Sequence, residues 1–376
     1  MARISTAVND RRSARHGPGW LAIVLIAAIS SLVVAGQGAA ARDAAARDHA
    51  TRDHATQDHA ARDHATEVYR PGGMAPADTE RALGHDPRAV AGCLLAGDIE
   101  LASPGASTRR AELSRLFEII GISATGRAVL ARARRHGVHV CIDSETDLLA
   151  YYFAGRHMAG VRATLSQGGK IAFLAHELAH VPQHPTYSDN RYYPPADLIL
   201  LRRVREAAAE AISIRIAWEL RAGGEGAAWD AKLASAYADM ARRFATAADT
   251  GGGSGGAAGG GAGLLGPTRA AFDRWFEAPW RRNAYDQMTL AHLARISEDR
   301  LGLVPPRYAL SHDFLAAIAW IEGRNFLTET GTRPLTGPAY GGRLSEGNAR
   351  LLARFNAHIG VSAGPLRAVP VAALTP

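Results

Sequence analysis

One helical turn of this chain, His176-Glu177-Leu178-Ala179-His180, sets two imidazoles and a carboxylate so close together that the fold has to be built around their needs. The helix is legible from its flanks. Ile171, Leu174, Ala175 and Leu178 recur at i, i+3, i+4 and i+7, Gly168-Gly169 breaks the chain ahead of them, and Pro182 stops it behind. Burying that apolar stripe leaves Phe173, His176, Glu177 and His180 on the opposite side, facing a cleft. Histidines four residues apart project from one face, so their ring nitrogens can converge on a single tetrahedral ion at about 2.0–2.1 Å, which points to zinc. Glu177, one step around the helix, is badly placed to be a third ligand of the same turn. It is well placed to take a proton from a metal-bound water. The competing reading is an ordinary solvated helical face.

A third ligand has to come from elsewhere in the chain. Asp197 to Arg221 runs without an internal Gly or Pro and reads as a long helix that carries Glu206 and Glu210 at i, i+4. Two carboxylates at that spacing repel by a few tenths of a kcal/mol (~0.2–0.5), so they invite a cation or a hydrogen-bond donor. Arg202 and Arg203 could serve as their partners, and so could the ion of the histidine pair. Glu219 lies 13 residues beyond Glu206, about 20 Å along the axis, and is excluded from the same site.

The 376-residue chain has a formal net charge of +7, but Arg3, Arg11, Arg12 and Arg15 against Asp10 place part of that in the first forty residues. The mild remainder, spread over mixed Arg and Glu helices, gives no footprint for nucleic acid. Leu21 to Ala35 is an apolar run behind those arginines and ahead of the small residues Gly38 to Ala41. It is shorter than the roughly 20 residues that span a bilayer, so 1–41 reads as an export signal cleaved near Ala40 to Arg42, with a retained membrane anchor as the alternative. Composition is rich in Ala, Arg and Gly, and Lys occurs only at 170 and 232, as in GC-rich bacteria. The expected location is therefore the periplasm or beyond. Residues 42–68 repeat Arg-Asp-His-Ala-Thr with almost nothing apolar and read as a disordered linker. Cys93 and Cys141 are the only cysteines. They are too few for a cysteine zinc cluster, and in an oxidising compartment they form either one disulfide or two buried thiols.

From Tyr69 the chain reads as globular. Helices are expected at Arg109–Ile120 and Thr125–His136, followed by a strand at Val138–Ile142 and further strands at Tyr151–Phe153 and Val161–Leu165. The segment Pro182–Pro195 reads as an irregular loop, whose Tyr187, Tyr192 and Tyr193 are candidate donors to an oxyanion or else simply packed. A helix is expected near Trp229–Ala247, then a flexible Gly-rich insert at 249–266, helices from Pro267 that include Tyr285–Ile296, Phe314–Ile321 and Leu351–Phe355, and a loose tail at 361–376.

With the histidine turn followed by Arg205-Glu206-Ala207-Ala208-Ala209-Glu210-Ala211, the chain resembles a zincin of the gluzincin type, in which a downstream helix gives a glutamate ligand. The stretch from Val138 through Leu220 is also similar to uncharacterised bacterial metallopeptidase domains. The resemblance implies an α+β, predominantly α fold: a zincin-like metallopeptidase core over 69–360 with a small sheet and an H-E-x-x-H helix. It implies one zinc per chain on His176, His180 and Glu206, Glu177 as general base, and a peptide or protein substrate. Glu210 would accept the second ring N–H of a zinc-bound histidine, and Val161–Leu165 would be the edge strand that pairs with an extended peptide. The residues around Glu206 do not reproduce the thermolysin-type Asn-Glu pair, so Glu206 and Glu210 both stand as candidates for the third ligand. The rival function is a non-catalytic cell-envelope binding or scaffold protein on the same fold. A membrane partner enters only if the N-terminal segment is retained, and the sequence gives no oligomeric state.

Overall fold

Short β-branched and aromatic runs build a small sheet in the first half of the chain, and Ala-, Leu- and Arg-rich segments build helices around it. The computed structural model describes residues 92–98, 108–183, 193–250, 261–298, 308–331, 334–359 and 367–368. The segment expected to direct export, the repeat, Tyr187, Tyr192 and the Gly-rich run at 251–260 lie outside them. In chain order the elements are β1 (Leu94–Leu95), α1 (Thr108–Ile120), α2 (Ala124–Arg135), β2 (His139–Asp143), β3 (Ala150–Phe153), β4 (Met158–Arg162), α3 (Gln167–Ala179) and α4 (Pro195–Ala222). There follow α5 (Ala227–Leu233), α6 (Ala238–Thr250), α7 (Leu265–Glu277), α8 (Pro279–Glu298), β5 (Tyr308–Ala309), α9 (His312–Ala316), β6 (Trp320–Ile321), β7 (Arg324–Asn325), α10 (Pro338–Gly341), α11 (Glu346–Ile359) and β8 (Arg367–Ala368). The fold is mostly helical with a small sheet. Among the described residues no helix is long and apolar enough to cross a membrane.

The sheet has the order β1-β2-β4-β3. β2 runs parallel to β4, from His139 opposite Met158 to Asp143 opposite Arg162, while β1 and β3 are antiparallel to their neighbours. This corrects the expected peptide-binding edge. The strand is Met158–Arg162 rather than Val161–Leu165, and it lies inside the sheet, so β1 and β3 hold the edges among the described residues. After Arg162 the chain turns, with Ala163 N–H donating to Asp143 C=O at 2.8 Å and Leu165 N–H to Arg162 C=O at 3.3 Å. Alternation along β2 also fails to leave one face wet. Val138, Val140 and Ile142 enter the main core, but Cys141 is buried on the other face with Leu148, Tyr151, Phe153 and Met158. Tyr151 O–H donates to Asp143 Oδ2 there at 3.0 Å, and Gly160 on β4 makes room for the ring, since a Cβ at 160 would lie 2.1 Å from it.

Cys93 and Cys141 are joined by a disulfide that ties the segment carrying β1 to β2. The bridge closes a loop of 48 residues, so the chain-entropy argument predicts that Cys93→Ser or Cys141→Ser costs up to about 4 kcal/mol of unfolding free energy. Urea unfolding of the variants against the oxidised parent measures it. A change within error would mean that the tie constrains nothing in the unfolded chain.

α4 is the axis of the helical layer. It touches α2, α3, α5, α7 and α8 and is buried on nearly all sides, which a surface helix would not be. Its apolar residues fill the core, and its buried arginines Arg203 and Arg215 are ion-paired. Arg203 lays a two-pronged ion pair on Asp286 of α8, with Nε–Oδ1 at 2.7 Å and Nη2–Oδ2 at 2.6 Å. Removing one partner of such a pair would cost about 3–5 kcal/mol. Arg215 holds Glu219 at 2.8 Å, and Glu219 accepts from Ser123 and Thr125 at the start of α2.

Two helical expectations are corrected. The run near Trp229–Ala247 is two helices, α5 and α6. Ser235 separates them: its hydroxyl donates to Lys232 C=O at 2.8 Å and accepts from Tyr237 N–H at 3.1 Å, competing with the helical ladder. Phe314–Ile321 begins in α9 but ends in the β6–β7 hairpin, whose turn residues Glu322 and Gly323 have φ of 52° and 76°. Such values cannot continue a right-handed helix. Of the stretch expected as a Gly-rich insert, the described ends are helical: residues 249–250 end α6, Gly261–Leu264 form a 3-10 turn and Leu265 opens α7; the tail contributes β8, which pairs in parallel with β5.

Candidate metal centre

α3 begins at Gln167, where Ser166 caps it by accepting from Gly169 N–H at 3.1 Å. Gly168 and Gly169 therefore form its first turn rather than a break before it. Gly168 is the point of closest approach to α5, since a Cβ there would stand 2.2 Å from Ala227 C=O. That contact brings α5 and its Lys232 against the same helix that carries the histidines. The side of α3 expected to face an open cleft is covered: His176, Glu177 and His180 are 4 %, 2 % and 5 % exposed. α4 covers it with Glu206 and Glu210, which are themselves buried.

Three atoms converge. His176 Nε2 and His180 Nε2 are 3.2 Å apart, and Glu206 Oε2 lies 3.5 Å from the first and 3.7 Å from the second. A tetrahedral ion with bonds of about 2.0–2.1 Å has ligand atoms about 3.3–3.4 Å apart, which matches this triangle. Outside the triangle each ring is held by its other nitrogen. His176 Nδ1 is 2.8 Å from Glu210 Oε2, and His180 Nδ1 is 2.8 Å from Gln183 Oε1. Both partners are acceptors, so they place the proton on Nδ1 and leave the Nε2 lone pairs aimed at the centre. Gln183 in turn donates to Arg205 C=O at 3.2 Å. Glu210 uses its other oxygen on Lys232 Nζ at 2.7 Å.

Electrostatics state the same demand. Glu177, Glu206 and Glu210 ionised, against Lys232 and two neutral imidazoles, leave two negative charges in a buried cluster. Protons supply the balance. Burial works against a charged His176, but the neighbouring carboxylates of Glu206 and Glu210 hold its pKa up at about 10. Burial, joined by the charges of Glu206 and Glu210, lifts Glu177 to about 8. Burial depresses His180 to about 4. Against the effect of burial, Glu206 and Glu210 are lowered from the ordinary carboxylate range to about 2, the first through His180 and His176, the second through Lys232 and His176. A divalent cation in the triangle cancels the same two charges. Two carboxylate oxygens, Glu177 Oε2 and Glu206 Oε2, are buried without a hydrogen-bond partner, the condition that an external cation or a proton donor relieves. Among the described residues, His176, His180 and Glu206 are the group of side chains placed to hold a metal ion.

Of the sequence candidates, the structure brings together His176, Glu177, His180, Glu206 and Glu210. Tyr193 is buried with its ring against Tyr308 and Phe314, at centroid distances of 6.1 and 6.3 Å. Arg203, one suggested partner of the glutamates, is engaged with Asp286 instead. Lys232 and Gln183 were missed. Lys232 did leave a trace in the sequence, as one of two lysines in an Arg-using chain, and both lysines turn out to be buried and paired, Lys170 to Glu112 at 2.6 Å. A compact ammonium fits where a guanidinium fork would not. A cavity of about 270 Å³ on the reverse side of α3, lined by Arg132, Leu178, Ile212 and Trp320, reaches none of the converging atoms.

Over residues 88–326 the chain matches the family described as "Putative metallopeptidase family (DUF6782)". No curated protein and no solved structure matches it.

Proposed function

The chain belongs to this Putative metallopeptidase family, whose name implies a metal ion and a peptide or protein substrate, and from that premise we propose an exported, zinc-dependent peptidase of the gluzincin type. The observation that carries the proposal is the triangle of His176 Nε2, His180 Nε2 and Glu206 Oε2, with edges of 3.2, 3.5 and 3.7 Å. Two imidazoles and one carboxylate form a borderline-soft donor set that suits zinc, whereas magnesium and calcium take all-oxygen sets.

When bound, zinc supplies Lewis acidity toward a peptide carbonyl and an attacking water. The side chains do the rest. Glu177, buried and with an unpartnered oxygen, takes the proton of the water as its oxygen bonds to the carbonyl carbon, and gives that proton to the amine nitrogen as the C–N bond breaks. Glu210 and Gln183 keep His176 and His180 in the tautomer that turns Nε2 inward. Lys232 neutralises Glu210 from behind, so that His176 is not left beside an uncompensated charge. Export is supported by the apolar run Leu21–Ala35 behind its arginines and by the disulfide, a linkage that persists in oxidising compartments.

Elemental analysis of the purified full chain should find about one zinc per chain, lost from both His176→Ala and His180→Ala. Stoichiometric zinc in both variants would remove the proposal's foundation and move the metal elsewhere, for instance to the histidines of the N-terminal repeat.

A further inference from the structure

Most of the arginines closed into this core have a partner. Arg203 has Asp286, Arg215 has Glu219, Arg281 has Asp239, and Arg269 has Asp273 and the Tyr340 hydroxyl. Among the described residues Arg205 has neither an ion pair nor a side-chain hydrogen bond, and its Nε is buried without a partner. It is nonetheless only partly enclosed, so water reaches the side chain. It immediately precedes the ligand Glu206 on α4, and its own carbonyl is bonded by Gln183, which holds His180. The guanidinium interacts electrostatically with Glu206 and with Tyr193. Arg202, one turn earlier on α4, adds positive charge on the same side, acting on His180 and Glu206.

A guanidinium beside the proposed metal centre, reached by water and given no ion pair among the described residues, is built to receive a carboxylate from outside. We propose that Arg205 is the specificity-determining residue of this site and binds a carboxylate of the peptide substrate close to the scissile bond, either a free C-terminus or an Asp or Glu side chain. This rests on the reading of the triangle as a zinc peptidase site. Neutral and basic peptides would leave Arg205 unpaired in the complex, so discrimination follows from the penalty on them as much as from the attraction to acidic ones.

Three probes separate the sources of the carboxylate: mercaptoacetyl-Leu-Ala with a free C-terminus, its C-terminal amide, and mercaptoacetyl-Leu-Glu amide. Their binding to the zinc-loaded full chain is measured by calorimetry, with zinc content determined alongside. One of the two carboxylate probes should bind about 10-fold tighter than the neutral amide, or more. Which one it is identifies a C-terminal or a side-chain preference. Arg205→Gln should bring all three within about twofold of one another while zinc content stays unchanged. A zinc-loaded protein that binds the three probes equally, or binds none, overturns the proposal and leaves the metal site standing. So does a preference that survives Arg205→Gln. A chain that holds no zinc overturns the reading of the site beneath it, and this proposal falls with it.

Discussion

Glu177→Gln should keep about one zinc per chain and lower peptide hydrolysis by about 10²-fold or more, the usual weight of a general base acting in the transition state. The amide has the shape of the carboxylate and cannot take the water's proton. It leaves His176, His180 and Glu206 untouched, so the loss falls on turnover while the metal stays. Folding should not suffer, because burial already disfavours a charge at 177 and lifts its pKa to about 8. A neutral side chain removes that cost, and thermal unfolding of the metal-free variant should occur at the parent's temperature or above it. The measurement is hydrolysis of a diverse peptide library by both proteins at equal zinc content. Comparable rates would take the general base away from Glu177. A zinc-loaded parent that cleaves nothing would favour the rival reading, a non-catalytic envelope-binding protein.

What the sequence showed of this site, and what it hid, follows from the range of the interactions. His176, Glu177 and His180 share one turn, and Glu206 and Glu210 share another, so helical geometry alone puts each set on one face. The spacing of the two glutamates pointed to an external partner, and Glu210 has Lys232 and His176 beside it. The identity of the partners behind the ligands was not readable. Lys232 reaches Glu210 across 22 residues, through a close approach of α5 to α3 that depends on the missing side chain of Gly168. Gln183 sits at the end of α3, where a polar residue after Pro182 looks like loop. The sheet failed for a related reason. A run such as Val161–Leu165 has strand-like composition, but whether it lies at an edge depends on which strands pair beyond it, and the parallel pairing of β2 with β4 is a long-range fact. Phe314–Ile321 has helical spacing for its first turn only, and the positive φ of Glu322 and Gly323 turns the rest into a hairpin.

The two acidic residues of α4 should separate cleanly on metal affinity. Glu206→Gln should abolish zinc binding or weaken it beyond measurement, because Oε2 of Glu206 is the third corner of the triangle and has no other partner. Glu210→Gln should weaken zinc by only about 10- to 100-fold, the range typical of a group that orients a ligand without touching the metal. A glutamine at 210 can still accept from His176 Nδ1–H through its carbonyl oxygen. Its amide nitrogen would then face the Lys232 ammonium, donor against donor, where Glu210 Oε1 now accepts at 2.7 Å. That second defect is one of stability, since a buried ammonium without its carboxylate costs about 3–5 kcal/mol. Glu210→Gln should therefore unfold at lower denaturant concentration even in the metal-free state. Competition with a chelator of known zinc affinity, run beside urea unfolding of the metal-free proteins, reads both effects. The reverse ranking on affinity would make Glu210 the ligand and Glu206 the residue that orients it, while His176 and His180 kept their places.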